Sequence, residues 1–188
     1  EQVVQEKPKV AAAWGDWARA LIVAEQYSAA ERVLKRGEKA VGTKTPELNL
    51  EWARLALARG DEEQALKLAD KTLEVTKAFR KKELDALAEK AVFPDPRVVR
   101  GEVMAAAAAM KADLLAAKKQ WAEAAKAYSI AVYEEPESAD YLVKRGAVYI
   151  ELGEEKKARA DFERALTYIP DFEPALTALE RLEKGGSK

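Results

Sequence analysis

The chain contains neither cysteine nor histidine. The absence of cysteine excludes disulfides and thiolate nucleophiles, and the absence of histidine excludes imidazole bases and most zinc sites. No apolar run approaches the ~20 residues of a membrane-spanning helix, and no signal peptide is recognised. We therefore predict no enzyme activity, no catalytic residue, no cofactor, no metal and no direct insertion into a membrane. A cysteine-free chain suits bacterial cytoplasm and periplasm or envelope equally, so the compartment stays open.

Glycine and proline are also scarce, with 9 and 7 residues among 188. The whole chain is 48% hydrophobic and 35% charged, and much of the apolar content is alanine, a strong helix former. This composition is typical of a soluble all-helical protein. The formal net charge of −1 favours neither nucleic acid nor an acidic membrane as a partner. Because the chain begins with Glu1 rather than Met, we expect that something upstream was removed.

Small and large residues alternate at helical spacing near the C-terminal end. Gly146 and Tyr149 are three residues apart and share a helix face, and Ala158 and Phe162 share a face four residues apart. Gly153 lies between the two runs, where it can end the first helix. The stretch therefore predicts a helical hairpin whose inner faces meet closely, with rings filling the space opposite small residues.

This unit recurs with a period of 34 residues, since Tyr128, Ala131 and Pro136 precede Phe162, Ala165 and Pro170 by that interval. The pattern resembles the tetratricopeptide repeat (TPR) family. Segment 139–172 matches the family's positions at Gly146, Tyr149, Gly153, Ala158, Phe162, Ala165 and Pro170. Weaker copies occupy 11–44, 105–138 and the degenerate 46–79, where Asn49, Ala56 and Ala69 stand at positions expected to be large.

The resemblance implies an all-α solenoid of helical hairpins wound as a right-handed superhelix, in a single domain over 1–184 with a tail at 185–188. Segment 80–104 does not fit the period, so we expect a central helical insertion in which one helix turns at the Pro94–Pro96 pair and returns. A C-terminal capping helix is expected over 172–184. The predicted helices are 8–25, 28–41, 46–59, 62–91, 97–118, 121–134, 139–152, 155–168 and 172–184.

Side-chain patterns predict how several helices begin and pack. Ser28 with Glu31, and Asp61 with Gln64, are typical of capping boxes. In the capping helix, the stripe Phe172, Leu176 and Leu179 is expected to face the core.

Three motifs suggest chemistry, and each has a structural explanation. Gly37 to Thr45 resembles a phosphate-binding loop, but Thr43 separates the second glycine from its lysine and no strand precedes it, so Gly42 is better explained as a helix end. Asp113 lies among apolar neighbours and is expected to form an ion pair rather than act as a base. The rings of Tyr128, Tyr149 and Phe162 are expected in the core.

The resemblance also places residues on the concave groove of the array. The groove is expected to be apolar and to bind a partner peptide or helix, which makes the chain a non-enzymatic scaffold or adaptor with a protein partner. The predicted partner-binding residues are Arg19, Ile22, Arg54, Leu57, Met110, Asp113, Lys144 and Ile150. Two alternatives stay open: a homo-oligomeric scaffold in which the groove receives another copy, or an interaction module of a larger protein whose activity lies elsewhere.

Overall fold

The computed structural model describes residues 9–43, 45–92 and 94–185, and every regular element in these ranges is helical. Predictions that concern residues 1–8 and 186–188 lie outside the described residues. The helices within those ranges are α1 (Ala11–Val23), α2 (Tyr27–Val41), α3 (Pro46–Ala58), α4 (Glu62–Ala88), α5 (Gly101–Ala117), α6 (Trp121–Glu134), α7 (Ala139–Glu151), α8 (Glu155–Tyr168) and α9 (Glu173–Gly185), with a 3₁₀ turn at Pro96–Val98. The all-α prediction is confirmed.

The chain divides into two compact units, Glu1–Ala107 and Ala108–Lys188, and the boundary falls inside α5. In the first unit, α1 packs against α2 and α3, and α3 packs against α4. In the second unit, α7 packs against α6 and α8, and α9 packs against α8. Each unit is therefore built from antiparallel neighbours joined by short turns.

Trp14 is the largest side chain in the core that α1, α2 and α3 share. It is buried beside Ala18, Leu34, Leu48 and other apolar residues. A Cβ on Gly37 would lie only 3.0 Å from Trp14 Cβ, so this glycine lets α2 approach the indole closely. Gly37, the first glycine of the phosphate-loop-like stretch, is thus required for packing in the core.

The core of the second unit pairs a ring with a glycine in the same way. Phe162 on α8 is 1% exposed and contacts the backbone of α7 at Gly146, where an added Cβ would lie 2.9 Å from ring atoms Cδ1 and Cζ. Ala158 and Ala165 flank the ring and are fully buried. The alternation of small and large residues in the sequence therefore reflects close contact between the paired helices.

The turn inside each helical hairpin has the same backbone geometry. Glu25, Gly60, Lys119 and Gly153 all have positive φ, and the next amide N–H donates to a carbonyl five residues back, as in Gln26 N to Leu21 O. This is the Schellman arrangement that ends a helix with one left-handed residue. Two of the four turns use glycine and two do not, so the turn forms even with a side chain at this position.

Capping agrees with the sequence at Asp61 and disagrees at Ser28. The Asp61 carboxylate accepts a hydrogen bond from Gln64 N at 3.0 Å and caps α4. The prediction that Ser28 caps α2 is wrong, because α2 begins one residue earlier and its N-cap is Gln26, which makes no side-chain cap bond. The left-handed turn at Glu25 places Gln26 at the N-cap position, just as the turn at Gly60 places Asp61 there.

The segment between α4 and α5 is less helical than expected. Helix α4 ends at Ala88, a 3₁₀ turn follows at Pro96–Val98, and Arg100 adopts a left-handed φ of 59° immediately before α5 begins at Gly101. The prediction of one helix over 97–118 is wrong at its N-terminal end. A left-handed residue cannot continue a right-handed helix, so α5 starts after Arg100.

The capping helix exists, but its buried stripe differs from the predicted one. Phe172 and Leu179 pack against the second unit's core, together with Leu182. Leu176 is exposed, and Ala175 is fully buried instead. The prediction for Leu176 is wrong because the buried stripe passes through Ala175, and the next residue of a helix lies about 100° away around its axis.

Candidate functional site

Residues of α1, α3 and the segment before α5 border a cavity of about 500 Å³ in the first unit. We call it the α1–α3 cavity. Its lining residues are Ala12, Gly15, Asp16, Arg19, Glu47, Leu50, Arg97, Arg100, Gly101, Glu102 and Val103. Three arginines and three carboxylates stand in this lining, so this cavity is charged as well as apolar.

A buried carboxylate holds two of the predicted site residues together. The Glu51 side chain on α3 is 1% exposed, and its Oε1 accepts hydrogen bonds from Arg19 at 2.7 Å and from Arg54 at 2.6 Å. The hydrogen bond with Glu51 is the main cause that raises the pKa of Arg19 above its ordinary value. Two predicted groove residues from different hairpins thus meet at one carboxylate, which fixes their positions.

Arg100 joins the irregular segment to the second hairpin. Its guanidinium donates to Glu47 on α3 and to Glu83 on α4, at 2.8 Å for the latter, and it stacks over the ring of Phe79. Burial lowers the pKa of Arg100, but these carboxylates outweigh the burial and leave the pKa raised. The left-handed residue therefore sits in a network of ion pairs at the edge of the cavity.

In the second unit, Asp113 and Lys144 form an ion pair. Lys144 Nζ lies 3.3 Å from Asp113 Oδ2 and 3.5 Å from Asp140 Oδ2. Tyr128 donates its hydroxyl hydrogen bond to Asp113, and burial followed by this contact raises the pKa of the phenol above its usual range. The expectation that Asp113 is an ion-pair partner is confirmed, as is the burial of Tyr128 in the core.

Ile150 borders a second cavity, of about 380 Å³, beneath the capping helix. The floor of this cavity is apolar and includes Phe162 and Leu182, and its rim carries Glu151 and Arg181. Ile150 itself is 37% exposed. Of the predicted residues, this one comes nearest to the expected apolar surface with a charged border.

The other three predicted residues occupy different environments. Ile22 packs partly buried against the core of the first unit, Met110 is half-buried, and Leu57 is 39% exposed. Leu57 and Ile150 are thus the exposed apolar members of the set. Arg19 lines the α1–α3 cavity, and Arg54 reaches the same site through Glu51.

Several residues at this site are absent from the predicted set. Glu47 and Glu51 lie four residues apart on one face of α3, a spacing that the sequence shows. Arg19 of α1 pairs with Glu51, and Arg100 pairs with Glu47. Arg97 and Arg100 belong to the segment that breaks the repeat, so no family position marks them. Only folding places them beside α1 and α3.

Two further features bear on function. Across the part of the chain that the structure describes, no group of three or more acidic side chains is arranged to hold a metal ion. In the same ranges, no helix combines the length and apolarity that crossing a bilayer requires.

Comparison with solved structures finds chains that align with most of this one at low sequence identity. A crystal structure of YrrB, a TPR protein with an unusual peptide-binding site, has a TM-score of 0.40 at 14% identity and covers 95% of this chain and 96% of YrrB. The APC/C hetero-tetramer Cut9-Hcn1 has a TM-score of 0.40 at 15% identity, over 96% of this chain and 44% of that one. MamA from Desulfovibrio magneticus RS-1 has a TM-score of 0.38 at 16% identity, over 87% and 97%.

No curated protein matches the sequence. The family model of the tetratricopeptide repeat matches residues 139–172, which are helices α7 and α8 with their flanking turns. Those are the residues where Phe162 packs onto Gly146 and where Gly153 ends the first helix. Residues 139–172 therefore carry one full tetratricopeptide repeat.

Proposed function

We propose that this chain is a non-enzymatic scaffold that binds a segment of a partner protein, with the α1–α3 cavity as the principal contact. The observation that carries the proposal is the position of this cavity. Ala12, Gly15 and Arg19 on α1 and Glu47 and Leu50 on α3 all border it. The resemblance to the TPR family assigns these positions to the groove of two successive hairpins.

The size and composition of the cavity support a peptide segment as the ligand. A volume of about 500 Å³ lies within the ~300–1,000 Å³ range of ligand sites. A partner side chain seated there would gain polar contacts for specificity at the rim and apolar contact with Leu50 and Val103. The absence of histidine and cysteine agrees with a binding role rather than a catalytic one.

Blocking the cavity tests this proposal. Ala12 is exposed at its edge, so Ala12→Trp adds an indole at the entrance without disturbing the core. Ala40 is an exposed alanine on α2 that does not line the cavity, so Ala40→Trp is the matched control. Wild type and both variants are immobilised, lysate of the source cells is passed over them, and retained proteins are quantified by mass spectrometry.

We expect a protein that wild type and Ala40→Trp retain and that Ala12→Trp loses. Circular dichroism must first show equal helicity for all three. If Ala12→Trp retains the same proteins as wild type, the cavity is not the contact surface. If the retained protein is the chain itself, the homo-oligomeric alternative replaces the adaptor.

A further inference from the structure

The three arginines that line the α1–α3 cavity are already held by the protein's own carboxylates. Arg19 donates through Nε and Nη2 to Glu51. Arg97 donates through Nε and Nη2 to Asp95. Arg100 uses Nε and Nη2 for Glu83 and Nη1 for Glu47. Each guanidinium is therefore already paired with a carboxylate of the protein, so the lining offers no unpaired cation to an entering anion.

Two carboxylate oxygens at this cavity have no hydrogen-bond donor. Oε2 of Glu47, which lines the cavity, and Oε2 of Glu51 are both buried and have no hydrogen-bond partner among the described residues. Glu51 does not line the cavity, but its Cγ lies 3.6 Å from the position that a Cβ on the lining residue Gly15 would occupy. Buried carboxylate oxygens are normally paired, so two unpaired ones one helical turn apart on α3 indicate that a donor is missing.

A third carboxylate at this cavity is also available. Glu102 lines the cavity at the start of α5, is exposed, and makes no ion pair with any residue that the structure describes. Glu47, Glu51 and Glu102 therefore offer hydrogen-bond acceptors to a ligand, while each guanidinium is already paired with a carboxylate. The lining has as many cationic as anionic groups, so hydrogen bonding, rather than net charge, selects the ligand.

We propose that the α1–α3 cavity receives a positively charged N–H donor of the partner segment, namely a lysine or arginine side chain or a free N-terminal amine. This inference rests on the proposed function, since it names the chemistry of the partner group at the same cavity. The cation occupies the space beside Gly15 and donates to Glu47 and Glu51, with Glu102 at the entrance.

Short peptides of known charge test the inference without an identified partner. The probes are Gly-Xaa-Gly peptides blocked at both ends, with Xaa as Lys, Arg, Gln or Glu, and Gly-Gly-Gly with a free amine and an amidated C-terminus. Binding is followed through the ¹H–¹⁵N shifts of Gly15 and Gly101, which both line the cavity. The separate arms distinguish a side-chain cation from a terminal amine.

We expect at least one cationic probe to bind about tenfold more tightly than the Gln and Glu probes, which is the effect of one additional ion pair of moderate strength. Glu47→Gln should abolish that preference, and Glu102→Gln should reduce it. Because Glu102 has no ion pair with described residues, its substitution leaves the fold intact even if Glu47→Gln perturbs it. Glu63→Gln removes the same charge from an exposed site on α4 and should change nothing.

The inference is overturned if the Glu probe binds most tightly, or if all probes cause equal shifts. It is also overturned if the preference for a cationic probe survives both Glu47→Gln and Glu102→Gln. If no probe shifts Gly15 or Gly101, the cation inference also fails. The two proposals are tested separately, because Ala12→Trp blocks a partner of any charge. If Ala12→Trp loses the captured protein but no probe shows a cation preference, the scaffold proposal stands and only the cation inference fails.

Discussion

At the scale of single residues, the structure shows that small side chains are present because a neighbour occupies their space. Gly146 illustrates this, because Phe162 lies where a Cβ would be. Gly37 has the same relation to Trp14. Gly15 does not, because its nearest neighbour, Glu51 Cγ, lies at an ordinary 3.6 Å from the position of an added Cβ. These three helical glycines therefore differ in what an alanine would do.

Gly146→Ala should destabilise the protein by about 1–3 kcal/mol. Overpacking against a buried ring is expected to exceed the ~1 kcal/mol that alanine gains over glycine in a helix. Gly15→Ala is the matched control and should instead stabilise by up to ~1 kcal/mol. Urea unfolding followed by circular dichroism measures both, and a Gly146→Ala variant as stable as wild type would contradict the packing shown here.

Glu31 predicts a dependence of stability on pH. A hydrogen bond from Lys35, with a second from Arg59, lowers the pKa of Glu31 to about 2 from its ordinary value of 4.5. Because the folded pKa is the lower one, the stabilisation is complete above about pH 4.5 and is lost as the pH falls towards 2. A carboxyl ¹³C titration should show Glu31 ionised at pH 3.5. Between pH 4.5 and 2, the melting temperature of wild type should fall more steeply than that of Glu31→Gln.

At the scale of secondary-structure elements, the turn inside each hairpin repeats more faithfully than the side chains do. The Schellman hydrogen bond recurs after α1, α3, α5 and α7, although the second hairpin has lost several large residues of the pattern. Buried polar groups such as Thr72 and Thr76 fill its interior and donate to carbonyls four residues back on α4. Backbone geometry therefore persists where side-chain identity does not.

Substitutions at the left-handed turn residues should show that the backbone geometry, rather than the side chain, determines stability there. Glu25→Gly and Lys119→Gly should each stabilise by up to ~1 kcal/mol, since glycine adopts positive φ without steric cost. Gly60→Ala and Gly153→Ala should destabilise by a similar amount. Lys118→Gly is the control. Lys118 precedes the left-handed residue but does not itself have positive φ, so glycine there should destabilise. Thermal unfolding of the five variants gives the signs, and a destabilised Lys119→Gly would refute the argument.

At the scale of the whole molecule, each unit carries an exposed apolar residue of the predicted set, Leu57 in the first and Ile150 in the second. Neither is needed to fill a core. Both belong to the predicted partner-binding set, so a substitution there tests binding with little effect on the core.

Leu57→Glu combined with Ile150→Glu should leave the helicity unchanged and weaken retention of a partner, because a charge placed in an apolar contact is costly to bury. The control is Ile169→Glu, which introduces the same charge at an exposed apolar residue outside the predicted set. Quantitative capture from lysate compares the three proteins. Equal retention by the double variant and the control would mean that these two residues do not contribute to the partner surface.

The sequence by itself determined the helices, their pairing into hairpins and the small-to-large packing of Gly146 with Phe162. These features follow from local propensity and from a period that repeats along the chain, so they need no information about distant residues. Its errors lay at Ser28, Leu176 and the start of α5, where the conformation of a neighbouring turn or the approach of another helix decided the outcome.

Only the tertiary structure decided the chemistry of the α1–α3 cavity. Arg97 and Arg100 lie in the segment that breaks the period, and Glu51 appears in the sequence as one of many carboxylates. Their meeting depends on where α3, α4 and the segment before α5 come together, over separations of up to 53 residues. Helical periodicity determines which face a residue occupies, but the packing of separate elements determines which charges meet, and it brings arginines and carboxylates of distant segments to one cavity.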